Sequence, residues 1–170
     1  MLVNSLSLLF TFTSFISQLE ALGVALAVWL MIELMTPKPS DFWEFLVPQS
    51  LYYYLHASWL GHLRLKDVFW PFFILLNGTL LYIDYLIDEG DFTVASWVTM
   101  HIIMAMPLIY WTGAVWRCSD KCRVKFWAVA ARFMTVAAYF DFGLRWVIME
   151  YYPQILFNCQ QMITQWGDCV

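Results

Sequence analysis

The chain has 170 residues, 62% of them hydrophobic and only 13% charged, with a mean hydropathy of +0.64. A soluble domain of this size would have to expose much of that apolar surface to water, so the composition excludes an ordinary soluble protein and points to a lipid bilayer as the solvent. The net charge of -4 comes with no basic stripe, which excludes a nucleic-acid partner.

The first apolar stretch runs from Leu6 to Met35, longer than the ~20 residues a helix needs to cross the hydrocarbon core. Ser17-Gln18-Leu19-Glu20 has the form of a capping box, which would divide the stretch into an interfacial or tilted lead-in and a span over 18–36. The alternative is one long tilted helix. A signal peptide does not fit, because the basic leader is missing and the apolar run is too long.

Pro37 and Pro39 end the first helix, since neither can continue the backbone ladder. Segment 42–63 mixes aromatic residues (Trp43, Tyr52, Tyr53, Tyr54, Trp59) with Glu44, Gln49, His56 and His62. Rings with polar tips belong at headgroup level, so an interfacial or re-entrant helix is favoured here, with a fifth span as the alternative.

Three further spans follow at 68–87, 93–116 and 124–150, the first two joined by the acidic link Asp88, Glu89 and Asp91. Six of the nine bases lie in two short segments: Arg64 and Lys66, then Arg117, Lys121, Arg123 and Lys125. By the positive-inside rule those segments face inward, and the acidic tip and a base-free extracytoplasmic tail, 151–170, face outward. The expectation is an all-α integral membrane helical bundle in one domain, 1–170. It has four transmembrane helices plus an interfacial or re-entrant helix, or alternatively five spans, and its C-terminus lies outside. The lack of a transit peptide points to a bacterial inner membrane.

Within the spans, Ala128, Ala131, Thr135 and Ala138 form a helix-packing seam, because helices in lipid associate through small residues. Val129 would then face lipid and Arg132 would snorkel to the inner surface. Gly23 and Ala27 offer a shorter small-residue contact. Counting depth by the ~1.5 Å rise per residue brings Asp84, His101, Asp141 and Arg145 to the outer half of the bilayer, with Asn77 on the face of Asp84. Ionisable groups inside a membrane usually meet a partner or a cavity, so these five are the candidate polar cluster. Arg145 pairs in this reading with Asp141, four residues away on the same helix. Cys159 and Cys169 would close a disulfide in the outer tail.

Other motifs carry no chemistry. Asn77-Gly78-Thr79 lies too deep for glycosylation, Cys118 and Cys122 lack the spacing of a zinc or redox pair, and His56 and His62 fall on different helix faces. No catalytic residue, metal site or cofactor is expected. Partners are the bilayer and either a homo-oligomer or a larger membrane complex. The favoured role is an accessory or interaction subunit; the alternative is an oligomeric ion or proton channel, or a small-solute carrier, using the outer cluster.

Overall fold

The structure, a computed structural model, describes residues 18–36, 50–89 and 93–151. It contains five helices and, among the described residues, no strand: α1 (Gln18–Met35), α2 (Leu51–Leu60), α3 (Leu65–Asp88), α4 (Val94–Ser119) and α5 (Lys125–Tyr151). α3 and α4 are long and apolar enough, by length and composition, to cross a membrane. Of the four helices expected as spans, these are the two that meet that description.

Local chemistry explains the helix ends. Thr36, which precedes Pro37 in the chain, turns its hydroxyl back to the Ile32 carbonyl at 2.7 Å. α2 starts at Ser50, whose extended backbone and Oγ cap the Tyr53 amide, and stops at Gly61, which adopts the left-handed conformation at φ 75°. Glycine tolerates that conformation because it has no Cβ. Ten residues make a rod of about 15 Å, roughly half the length of a span. Residues 42–49 of the expected 42–63 segment lie outside the described residues. So does Ser17 of the capping box.

Pro71 sits inside α3 and cannot donate to the carbonyl of Asp67. The Tyr54 hydroxyl does so instead, at 2.7 Å. A helix defect in α3 thus becomes the socket that holds α2.

α4 is the central helix. Its buried residues Trp97, His101, Met104, Leu108, Trp111, Ala114, Val115 and Cys118 recur every three or four positions, the period of a helix packed along its length. α3 runs antiparallel to it, with the Phe69 and Phe72 rings on Trp111 and Tyr110 at 5.5 and 5.4 Å. α5 is also antiparallel: Trp146 meets Trp97 at 5.4 Å, and Trp116 donates its indole N–H to Thr135 at 3.0 Å. α1 packs on α5, where Trp29 lies between Phe126 and Phe133.

These pairings put Arg64, Lys66 and the bases of 117–125 at one end of the bundle, and Asp88 and Glu89 at the other. Large apolar side chains point outward along α1, α3, α4 and α5, among them Leu34, Ile74, Met106 and Phe140. On the seam, Ala128, Ala131 and Thr135 are buried, and Ala138 is partly buried against the core. Val129 departs from expectation, being 2% exposed. Helix α5 is covered by α1 as well as by α4, so its buried arc is wider than a two-helix seam.

Candidate functional site

Asp84 on α3, His101 on α4, and Asp141 and Arg145 on α5 lie in the part of the bundle nearer the acidic tip. Arg145 is the hub. Its Nη1 and Nη2 donate to Asp84 Oδ1 and Oδ2 at 2.7 and 2.9 Å, the two-pronged match of guanidinium to carboxylate. Its Nε lies 3.5 Å from Asp141 Oδ2, within ion-pairing reach but without hydrogen-bond geometry. The principal partner is therefore on another helix rather than four residues away. One guanidinium facing two carboxylates leaves a formal surplus of one negative charge. Asp141 lies in the drier place, with a side chain 7% exposed against 28% for Asp84.

His101 is fully buried and makes no hydrogen bond to the carboxylates, its Nε2 having no hydrogen-bond partner among the described residues. Its Nδ1 donates to the Trp97 carbonyl at 2.9 Å, and its ring stacks on Trp97 at 3.7 Å and leans on Phe142 at 5.4 Å. Asn77 donates to the Phe73 carbonyl of its own helix at 2.8 Å. Asn77 and Asp141 both line a cavity of about 40 Å³ between α3, α4 and α5, walled mainly by apolar side chains such as Leu76, Met104 and Leu108. So the five residues form an ion-paired trio, an amide on the wall of a neighbouring cavity, and a histidine in an aromatic stack.

A second polar centre, at the basic end, escaped the sequence reading. Arg132 is 3% exposed and does not snorkel. Its Nε donates to Ser119 Oγ at 2.6 Å, Nη1 to Thr36 Oγ1 at 3.1 Å, and Nη2 to the Trp116 carbonyl at 3.2 Å and to Asp120 Oδ1. The guanidinium also lies over the Trp116 ring, 4.9 Å from its centre, where the π-face attracts it. The signal was present in the numbering: Arg132 is four residues after Ala128 and three before Thr135, which puts it on the seam itself.

Beside this centre α2 is clamped to α4. Arg117 donates to the Trp59 carbonyl at 2.6 Å and covers the Trp59 ring at 4.2 Å. Tyr110 stacks on Trp59 at 5.5 Å and donates to the Leu55 carbonyl at 2.5 Å. Burial pushes the Tyr54 phenol above its ordinary range, with Tyr110 and Asp67 adding to the effect. Cys118 and Cys122 are free thiols. Cys159 and Cys169 lie outside the described residues. Among the described residues there is no group of three His, Cys, Asp or Glu side chains able to hold a metal ion.

Comparison of the chain with protein-family models, characterised proteins and solved structures returned no match.

Proposed function

We propose that the chain is a multi-pass membrane protein that acts as an accessory or interaction subunit of a membrane complex. In this reading α1, α3, α4 and α5 are the spans, α2 lies in the inner interface, and the C-terminus is outside. The membrane is a bacterial inner membrane.

The observation that carries the reading is how the buried charges are satisfied. Arg145 and Arg132 both find their carboxylates within the chain, and the described helices close around a cavity of only about 40 Å³. Such a bundle uses its buried arginines to hold itself together, and a helical bundle alone implies no activity. Gly23 adds support: a Cβ placed there meets nothing within 4 Å among the described residues, so among these helices the Gly23–Ala27 face is open to another helix.

A second reading, an oligomeric ion or proton channel or small-solute carrier, draws on the two carboxylates, Asp84 and Asp141, that face the single guanidinium of Arg145. Extraction in mild detergent followed by native mass spectrometry separates the two. A partner of different sequence at fixed stoichiometry is the expected result. A homogeneous homo-oligomer that supports pH-dependent ion flux in liposomes would overturn the accessory reading.

A further inference from the structure

Two side chains that line the cavity between α3, α4 and α5 each carry a polar atom without a hydrogen-bond partner among the described residues, and the two atoms are of opposite kind. They are Asp141 Oδ1, an acceptor, and Trp111 Nε1, a donor. Both side chains are more than nine-tenths buried, Asp141 at 5% and Trp111 at 1% exposed. Leaving a buried donor or acceptor unmade is unfavourable, and more so for a charged group. Such a cost is seldom left uncompensated in a folded protein.

The cavity has the size to remove it. A water needs at least about 10–15 Å³ of this kind of space together with two or more polar partners, and here there are about 40 Å³. We propose that this cavity is a binding site for water, in which the guest accepts from Trp111 Nε1 and donates to Asp141 Oδ1. The roles are complementary, because a carboxylate oxygen accepts and an indole N–H donates. The indole N–H argues against a bare metal cation, which would be repelled by the positive end of that bond. Asn77, on the same wall, has spent its amide N–H on Phe73, and its carbonyl oxygen is a further acceptor. The site is a deep hydration point beside a carboxylate, and it does not depend on whether the chain is an accessory subunit or a conductor.

The test is water-edited solid-state NMR on the full chain in lipid bilayers, reading polarisation transfer from water to the ring nitrogen of Trp111 and the carboxyl carbon of Asp141. Trp111→Phe assigns the indole signal. Trp97 is the internal control, since its Nε1 is equally buried and unpartnered but does not border the cavity. Transfer to Trp111 and Asp141 is expected to build up several-fold faster than to Trp97. Ala138→Val, which enlarges a wall residue into the cavity, should abolish that difference while the other indole signals stay in place. Equal transfer to Trp111 and Trp97, or a fast Trp111 signal that Ala138→Val leaves unchanged, would overturn the proposal.

Discussion

Arg145 reaches past its own-helix neighbour Asp141 to grip Asp84 on α3 with both terminal nitrogens, at 2.7 and 2.9 Å. The ion pair thereby fixes the rotation of α5 against α3, and through their shared neighbour it fixes both against α4.

The two aspartates should respond differently to neutralisation. Asp84→Asn replaces one of the two acceptor oxygens by a donor that faces the guanidinium and removes the carboxylate charge, and should destabilise the bundle by ~1.5–3 kcal/mol. Asp141→Asn removes only the 3.5 Å ion pair with Arg145, which has no hydrogen-bond geometry, so its effect should be smaller. Denaturant titration in mixed micelles measures both, and a larger loss for Asp141→Asn would contradict the hub assignment.

Arg132 should tolerate no conservative replacement. Lysine keeps the charge but cannot reproduce the planar fork that reaches Ser119, Thr36, Trp116 and Asp120 together. Arg132→Lys should cost ~1–3 kcal/mol in the same titration. Asp120→Asn should cost far less, ~0–1 kcal/mol, because the Asp120 side chain is 48% exposed and water screens the pair. Equal costs would mean that the ion pair, rather than the whole fork, holds this corner.

Helix positions were legible in the chain because prolines, glycines and charge clusters punctuate long apolar runs; α1, α3, α4 and α5 start and stop within a few residues of expectation. Residues that share a face of one helix were legible too, as with Ala128, Ala131 and Thr135. Rotation between helices was not. Counting along one helix gives depth and face but not the partner's azimuth: the Asp141–Arg145 pair within α5 follows from the spacing, whereas the stronger grip of Arg145 on Asp84 and the burial of Arg132 do not. Pro71 shows the same limit: its freed carbonyl on Asp67 can be counted from sequence, but Tyr54 as the group that answers it cannot.

The seam gives a packing test with a revised control. Ala131→Leu should overpack the α5 contact and cost ~1–3 kcal/mol. Val129 is buried, so Val129→Leu should also be costly. Val147, 52% exposed, is the better neutral position. If Val147→Leu destabilised as much as Ala131→Leu, as measured by thermal unfolding in detergent, the buried arc of α5 would be misplaced.

Cys122, rather than Cys118, is the natural reporter of topology. Cys118 is 1% exposed and its thiol points to the Ser58 carbonyl at 3.7 Å, whereas Cys122 is partly exposed in the basic loop. With Cys159 and Cys169 replaced by serine, a membrane-impermeant maleimide should label Cys122 in inverted vesicles and not in intact cells. The opposite pattern would reverse the proposed orientation.

Gly113 holds the key to the seat of α2. A Cβ added there would lie 2.8 Å from the Trp59 ring, closer than side-chain carbons approach. The ring cannot simply swing away, because Tyr110 stacks against it and Arg117 covers it. Gly113→Ala should therefore lift α2 from α4 while leaving the α3–α4–α5 core intact. Cys118 lies beneath α2 and reports the lift: its maleimide labelling in permeabilised membranes should speed up several-fold, with Cys122 labelling unchanged. Adding Trp59→Leu relieves the clash but also removes the stack, so it should restore the alanine's fit without slowing Cys118 to the original rate. Unchanged Cys118 labelling in Gly113→Ala would show that α2 is not held by the Trp59–Gly113 contact.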